Sequence, residues 1–435
     1  MRDLLRVALY KRNIARMRHG STCVVLLLCL TLAASTFAED WTEFRGPTGQ
    51  GLSAATGLPT QWGAETNVAW KRELPGKGWS SPILLGKKLF LTTAVPIGEG
   101  GEAGPQSLRA ICVDARQGSI LWNVEIFQQP PRAPVHNKNS HASPTPVTDG
   151  KRLFVHFGPH GTACLAIADG TILWRNEELK YSPVHGNGGS PILVDGLLVV
   201  SCDGGDQQFV TALDQNKGTV RWRTPRSVKP GRGFSFGTPL VVTVQGKKQI
   251  ISTGSDAVMA YDPKDGHEIW KVMYTGGYSV VPRPSFGEGL LYVCTGYDSP
   301  TLLAIRLDGA RGDVTETHVA WRVKKGVPHN PSPLLVGDAL YLVSDDGVAS
   351  CLDAKTGVER WHHRVDGKFS ASPVYADGKI FLQNESGDGI VLKPGDEYHE
   401  LAKNSLGERT LASYAVGDGA LFIRSERHLA RMQQK

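Results

Sequence analysis

Histidine, amide, cationic and aromatic residues recur in the short segments that precede apolar strands. They are Lys77, Trp79, His136, Asn139, His141, His185, Asn187, Phe234, Phe236, Tyr278, Arg283, His329, Asn330 and Lys368. Aromatic rings stack on flat ligands, while amide and cationic groups bind anions and hydroxyls. If the fold brings these segments together, they predict a binding pocket for a planar or anionic ligand.

The four histidines of this set also have a simpler interpretation. A single loop histidine is usually solvated or hydrogen-bonded to its own loop. His136, His141, His185 and His329 occupy equivalent segments, however, which favours a shared site. Their spacing is not that of a closed zinc site, and the sequence has no Cys-x-x-Cys pair. We therefore predict ligand binding, with no metal site and no catalytic residue.

The elements that must position these residues come from a repeat. Residues 350–361, S-C-L-D-A-K-T-G-V-E-R-W, predict a strand, a turn and a return strand that ends in tryptophan. The same shape recurs at residues 110–122, 165–174, 212–222 and 260–270. Repetition at this period is typical of propellers and solenoids.

Two recurring sequence features give the number of repeats. A small residue before proline opens an apolar strand at Ser81, Ser143, Ser190, Thr238, Ser332 and Ser372, with looser forms at Arg283 and Ser413. An aromatic residue closes a strand at Trp70, Trp122, Trp174, Trp222, Trp270, Trp321 and Trp361, with a degenerate end near Tyr398. Tryptophans 40 to 52 residues apart fit units of four short strands. The sequence predicts an all-β fold, an eight-bladed β-propeller of four-stranded antiparallel blades; an open solenoid would need capping repeats.

The order of these marks also predicts how the ring closes. Trp70 ends a strand that precedes the first Ser-Pro start, and the last repeat lacks an outer strand. We therefore expect the N-terminal strand to complete the final blade, so that pairing of the two terminal strands leaves no open edge. The predicted domains are an N-terminal arm at residues 39–66 and a single propeller domain at residues 67–435, expected to be monomeric.

Residues 1–38 have the composition of a signal peptide. A basic region precedes an apolar core at residues 22–34, which is too short for an ordinary spanning helix. We expect export to the periplasm or cell envelope after cleavage near Ala38; an uncleaved anchor is the alternative. Translation could begin at Met1 or Met17. This segment carries five of the six net positive charges, so the charge of the mature chain does not indicate nucleic-acid binding. We also expect no transmembrane span in the mature chain.

Five cysteines remain after that segment: Cys112, Cys164, Cys202, Cys294 and Cys351. Three of them lie six residues before a turn glycine, where two other repeats have Ala212 and Ala260. This position predicts a small buried side chain in a strand, which favours packing over a disulfide or redox role.

The repeat pattern, Ser-Pro, Asp-Gly and Ala/Cys-x-Asp-x-x-x-Gly-x-x-x-Trp, resembles that of pyrroloquinoline-quinone-type propellers over residues 70–431. That family includes quinoprotein dehydrogenases and the non-catalytic outer-membrane assembly propeller. The arm Trp41-x-x-Phe44-Arg45-Gly46-Pro47 resembles a large bacterial group of exported proteins with this repeat.

The resemblance leaves two functional hypotheses. The first is an exported, non-catalytic binding or scaffolding propeller whose partner is an envelope protein, a peptide or a glycan. The alternative is an oxidoreductase of the alcohol or sugar dehydrogenase type that uses pyrroloquinoline quinone with calcium. The sequence lacks an adjacent cysteine pair and a Cys-x-x-Cys-His haem site, and its inner strands offer no evident carboxylate for calcium. We therefore favour the first hypothesis and predict no cofactor. A purely structural role is a third interpretation.

Overall fold

The structure, a computed structural model, describes residues 40–131 and 135–435. Short strands separated by tight turns make up most of it, with one helical turn, α1 (Thr315–His318), and two 3₁₀ turns at Gly101–Ala103 and Gly158–His160. Within these residues, no helix has the length and apolarity needed to cross a membrane. The predicted signal peptide lies outside the described residues.

The strands form eight sheets, each of four antiparallel strands, with a short fifth strand added to the fourth sheet. The N-terminal strand β1 is Val68–Glu73. Blade 1 contains β2 (Ile83–Leu85), β3 (Lys88–Pro96), β4 (Gln106–Asp114) and β5 (Ile120–Gln129). Blade 2 contains β6 (Val147–Thr148), β7 (Arg152–His156), β8 (Thr162–Ala166) and β9 (Ile172–Asn176). Blade 3 contains β10 (Ile192–Val194), β11 (Leu197–Asp203), β12 (Gln208–Asp214) and β13 (Val220–Pro225). Blade 4 contains β14 (Leu240–Val244), β15 (Lys247–Thr253), β16 (Ala257–Tyr261) and β17 (Glu268–Met273).

The remaining blades follow the same order. Blade 5 contains β18 (Ser285–Gly287), β19 (Leu290–Cys294), β20 (Leu302–Arg306) and β22 (Val319–Val323). Its insertion supplies β21 (Gly312–Asp313), which pairs in parallel with β17 of blade 4. Blade 6 contains β23 (Leu334–Val336), β24 (Ala339–Val343), β25 (Val348–Asp353) and β26 (Glu359–Arg364). Blade 7 contains β27 (Val374–Ala376), β28 (Lys379–Gln383), β29 (Asp388–Leu392) and β30 (Glu400–Ser405). Blade 8 contains β31 (Ala415–Gly417), β32 (Ala420–Arg424) and β33 (His428–Gln433).

Blade 8 takes its outer strand from the start of the propeller. Strand β1 pairs antiparallel with β33, with Lys71 opposite Ala430 and Glu73 opposite His428. This pairing closes the ring. The predicted eight-bladed, all-β propeller and its mode of closure are both confirmed.

Six of the seven tryptophans of the repeat dock on a turn of the next blade. The indole Nε1–H of Trp174 donates to the carbonyl oxygen of Gln215 at 3.1 Å. A Cβ added to Gly218 would lie 2.4 Å from Trp174 Cε3, so the ring covers this glycine. The same donation joins Trp70 to Ala115, Trp122 to Ile167, Trp222 to Pro263, Trp321 to Ala354 and Trp361 to Gly395. The Asp-x-x-x-Gly turn therefore couples neighbouring blades as well as reversing the chain.

The small residues of the repeat lie directly opposite these tryptophans in the sheet. Cys112 pairs with Trp122, Cys164 with Trp174 and Cys351 with Trp361. All five described cysteines are buried thiols outside any disulfide. The small buried position predicted for Cys112, Cys164 and Cys351 is confirmed.

Two details of the repeat count need correction. The small residue before proline that opens blade 2 is Thr145 and not Ser143, because Pro146 directly precedes the inner strand β6. The outer strand of blade 7 begins at Glu400, and the tryptophan position there is held by Ala402, opposite Val391. Tyr398 lies before that strand and stacks on His363 instead.

Candidate functional site

The inner strands of all eight blades begin at the same end of the ring. Strand direction alternates within a blade, so the loops between blades and those between second and third strands share one face. We call this the loop face. A cavity of about 250 Å³ opens there at the axis. It is lined by Trp79, His136, Lys138, Asn139, Ser143, His185, Gly188, Phe236, Tyr278, Ser279, Val281, Tyr297, Asn330, Ser370 and Leu411.

A curved row of rings runs along one side of this cavity, with Phe234 just behind the lining. The ring centroids of His136 and His185 lie 5.4 Å apart, and those of His185 and Phe234 lie 5.2 Å apart. The rings of Phe234 and Tyr278 meet edge to face with centroids 5.5 Å apart, and the centroids of Tyr278 and Tyr297 lie 6.4 Å apart. The loops of four successive blades therefore supply one continuous aromatic wall.

Trp79 lines the cavity from the loop before blade 1. Its backbone N–H donates to the Ser140 hydroxyl at 3.1 Å, and the Arg409 guanidinium lies 5.5 Å from its ring centroid. Trp79 is 6% exposed, and its indole Nε1–H has no acceptor among the described residues. Trp79 thus contributes a flat ring to the lining, while its indole nitrogen is buried.

Charged groups at the rim are held in pairs. Lys138 Nζ lies 2.8 Å from the carboxylate of Glu385, which projects from blade 7. Arg232 pairs with Asp298 at 3.0 Å and lies over the Tyr278 ring at 4.5 Å. These pairs fix the loops of different blades against one another without leaving a free charge on either partner.

The surroundings of His136 in the cavity lining shift its pKa. Its Nδ1 accepts the backbone N–H of Lys138 at 3.2 Å. Burial, the neighbouring His185 and the positive charge of Lys138 together lower the pKa of His136 below its usual value. The ring is therefore neutral at pH 7.

A second cluster lies beside the cavity at blades 5 and 6. His329 stacks on Tyr297 with centroids 4.5 Å apart, and its Nδ1 lies 3.4 Å from an Asp345 carboxylate oxygen. Asn330 also donates to Asp345 through its side chain. Burial raises the pKa of Asp345, but these hydrogen bonds outweigh burial, so the pKa lies below its usual range. Asp345 thus acts as the ionised anchor of this loop.

A belt of hydroxyls surrounds the axis beneath the cavity. The backbone N–H of Ser81 donates to Thr145 Oγ1 at 2.9 Å, and Thr145 N–H donates to Ser190 Oγ at 2.9 Å. The same link joins Ser332 to Ser372, Ser372 to Ser413, and Ser413 back to Ser81. The strand-opening serines and threonines therefore tie the inner strands together.

The N-terminal arm reaches the axis from the far side of this belt. Phe44 lines a lower cavity of about 110 Å³ that the belt encircles. The backbone of Trp41 pairs with Leu84 of the inner strand of blade 1 through two 2.8 Å hydrogen bonds. The arm thus fills the end of the channel opposite the loop face. Its predicted boundaries stay a prediction.

Seven predicted site residues line the loop-face cavity: Trp79, His136, Asn139, His185, Phe236, Tyr278 and Asn330. Phe234 and His329 lie behind this lining, packed on Tyr278 and Tyr297 respectively. Lys368 is exposed and outside the lining.

Four further predicted residues are engaged elsewhere: Lys77, His141, Asn187 and Arg283. Lys77 pairs with Glu102 and Glu426 and, with His141, lines a separate small cavity. Asn187 accepts a hydrogen bond from Tyr181 at 2.6 Å.

Arg283 is buried on the arm side of the belt, at the position that serine or threonine holds in the other blades. Its Nη1 donates to the carbonyl oxygen of Phe44 at 2.5 Å, and Nη2 lies 3.4 Å from Glu43. It holds the arm and does not reach the cavity, because a long side chain at this position turns down the channel.

Several cavity residues were not predicted from the sequence. Tyr297 lies in the loop between the second and third strands of blade 5, a class of loop that shares the loop face. Tyr297 could therefore have been predicted from the order of the strands. Ser143, Ser279 and Ser370 could not, since serine is common in any loop.

No cluster of three or more potential metal-ligating His, Cys, Asp or Glu side chains exists in residues 40–131 and 135–435. The lining itself contains aromatic, amide, hydroxyl and imidazole groups with one ammonium group. Such a set can bind a ring-shaped ligand by stacking and hydrogen bonding.

Comparison with known proteins supports the same fold. The chain is 29% identical to the outer membrane protein assembly factor BamB of Burkholderia pseudomallei over 103 residues, covering 24% of this chain and 26% of that protein. It is 30% identical to methanol dehydrogenase subunit 1 of Methylorubrum extorquens over 164 residues, covering 32% of this chain and 24% of that protein. The chain thus spans about a quarter of the length of these curated relatives.

Among solved structures, BamB from Moraxella catarrhalis superposes with a TM-score of 0.60 at 14% identity, over 84% of this chain and 98% of that one. At that identity the likeness concerns the fold. The profile of the family described as outer membrane protein assembly factor BamB matches residues 106–320 and 310–426. These two matches include most of the propeller, and the chain therefore belongs to that family.

Proposed function

We propose that this protein is an exported, non-catalytic binding propeller of the cell envelope that holds a ligand or partner at the loop-face cavity. One observation carries the proposal: residues from far-apart repeats meet in a single cavity at the axis. Such convergence of aromatic and polar groups is typical of binding sites.

The family gives the proposal its cellular setting. The relative from Burkholderia pseudomallei is named as an outer membrane assembly factor, and the predicted signal peptide is consistent with an envelope location. A scaffold needs a rigid frame and a recognition surface. The closed ring and its loop face supply both.

The groups around the cavity favour binding over chemistry. Asp345 holds His329 and Asn330 in place, and Glu385 is paired with Lys138. Among the described residues, no carboxylate lines the cavity. A general base at the ligand would have to be His136 or His185, and within residues 40–131 and 135–435 neither contacts a carboxylate that would orient it.

A quinone-dependent oxidoreductase is the second candidate, favoured by the match to methanol dehydrogenase subunit 1. Phe236 and Tyr278 could stack on a flat cofactor. Calcium requires several oxygen ligands, usually carboxylates, and the described lining offers none. The residues present therefore do not fit a quinone held by calcium, and we derive no reaction through it.

In-cell photo-cross-linking tests the proposal. A photoreactive residue replaces Lys368 beside the cavity in one variant and Lys264 in another. Both lysines are exposed, but Lys264 lies in a turn between third and fourth strands, on the opposite face. We expect an envelope adduct from the Lys368 position and none from the Lys264 position. Equal adducts from both, or no adduct at Lys368, would refute binding at the loop face.

A further inference from the structure

We propose that the loop-face cavity binds one uncharged pyranose unit, as a free sugar or as the end of an envelope glycan. The inference rests on the proposed function, because it names the ligand class of the same cavity. Four features carry it: the size, charge, shape and hydrogen-bonding groups of the cavity.

The size of the cavity limits the ligand to about one ring. Pockets for drug-sized molecules occupy roughly 300–1,000 Å³, and this one has about 250 Å³. The hydroxyl belt and Phe44 line a second cavity directly below it, which shares Trp79 and Phe236 with the upper lining and at about 110 Å³ has less than half its volume. A longer chain could place only its terminal unit inside.

The charge of the lining favours a neutral ligand. Its one ammonium group, on Lys138, lies 2.8 Å from the Glu385 carboxylate. His136 is neutral at pH 7, since burial, His185 and Lys138 lower its pKa. An anionic ligand would have to break the Lys138 pair, and a cationic one would find no carboxylate in the described lining.

The shape of the aromatic wall favours a puckered ring over a flat one. Neighbouring ring planes in the lining are inclined by 54° between His136 and His185, 33° between His185 and Phe236, and 42° between Tyr278 and Tyr297. The wall is therefore curved, and these neighbours offer no parallel slot for a planar base. A pyranose presents C–H groups in several directions, which suits such a wall.

The polar groups in the lining require a ligand rich in hydroxyls. Asn139 is fixed by its donation to the His185 carbonyl oxygen at 2.9 Å, and Asn330 is fixed by Asp345. The hydroxyl-bearing residues Ser143, Ser279 and Ser370 also line the cavity. A purely apolar ligand would displace water from such groups without replacing its hydrogen bonds, at a cost of about 1–3 kcal/mol each. Ring hydroxyls can both accept from and donate to them.

Calorimetric titration of the mature protein tests the ligand class. The probes are glucose, galactose, mannose and N-acetylglucosamine, with glucuronic acid as the charged counterpart and adenosine and tryptophan amide as flat comparators. We expect saturable binding of at least one neutral sugar and about tenfold weaker binding of glucuronic acid. Tighter binding of either flat probe, equal binding of glucuronic acid, or no sugar binding would overturn the inference.

Matched variants place the binding. Phe236→Ala, or Phe236→Leu if the alanine variant does not fold, should weaken sugar binding by about tenfold or more. Tyr398→Ala removes an aromatic ring that packs on Trp361 and His363, away from the cavity, and should leave affinity unchanged. Equal affinity for all these proteins would contradict the assignment. If sugars fail but the Lys368 adduct forms in cells, the ligand class is wrong and the binding function stands; if both fail, both are wrong.

Discussion

The single residues that most control this fold are the turn glycines under the tryptophan rings. Gly218 has a φ of 71°, in the left-handed region, and lies against Trp174. Gly196 has a similar φ of 78°, but an added Cβ there would meet nothing within 4 Å. Comparison of the two glycines therefore distinguishes the cost of left-handed backbone strain from the cost of steric contact with the ring.

Gly218→Ala should destabilise the propeller more than Gly196→Ala does. Both substitutions carry the left-handed strain of about 1–2 kcal/mol, and the first also forces a methyl group into the Trp174 ring, at about 1–3 kcal/mol more. The free energy of unfolding in urea measures both. Equal losses would show that the ring does not constrain this turn.

At the residue scale, sequence patterns located the loops but not the direction of each side chain. Trp79, His185 and Phe236 reach the cavity as predicted. Arg283 occupies an inner-strand start like the serines of other blades, yet its length carries it down to Glu43 and Phe44. The repeat pattern does not indicate this direction of the Arg283 side chain, which depends on its contacts with the N-terminal arm.

Among the elements, β1 and β33 determine whether the ring stays closed. Glu408 links them, since its carboxylate lies 3.1 Å from Lys71 of β1 and 2.7 Å from His428 of β33. Burial opposes its ionised form, but hydrogen bonds from the Arg427 N–H, Lys71 and His428 outweigh this and lower the pKa of Glu408 to about 2. The closure therefore depends on an ionised carboxylate.

Glu408→Gln should destabilise the protein by about 1–3 kcal/mol at pH 7, as expected for lost charge-assisted hydrogen bonds. A carboxylate whose pKa is lowered by folding contributes stability above its unfolded pKa, near 4.5, and loses it as the pH falls through about 2. The difference between variant and parent in urea should thus shrink across this window. Exposed Glu397 provides the control, because Glu397→Gln should have no such effect. A difference independent of pH would contradict the role of ionised Glu408.

Among the elements, periodicity predicted most of the blades because most of the tryptophans dock on the turn of the next blade. Blade 7 departed from the pattern, since Ala402 replaces the aromatic residue and Tyr398 only precedes the strand. Trp270 also departs, donating to Gln249 at 2.8 Å. The residues of the blade 5 insertion that form β21 lack strand periodicity, so the extra pairing with β17 could not be foreseen.

For the whole molecule, the cavity exists only because the ring is closed. Its lining comes from positions as far apart as Trp79 and Leu411, and no local pattern specifies their distance. The repeat count predicted that the loops would converge. The size of the cavity, the pairing of Lys138 with Glu385 and the arm beneath the belt required the structure.

We propose that the assembled propeller binds its ligand without a quinone cofactor. The most direct test is an absorption and thermal-shift titration of the mature protein with pyrroloquinoline quinone in the presence of calcium. A ligand that binds the folded state stabilises it by RT ln(1 + [L]/Kd), so the melting temperature rises with ligand concentration. We predict no saturable absorption change and no rise in melting temperature. Saturable binding with a calcium-dependent rise would contradict the claim and would identify a quinoprotein oxidoreductase.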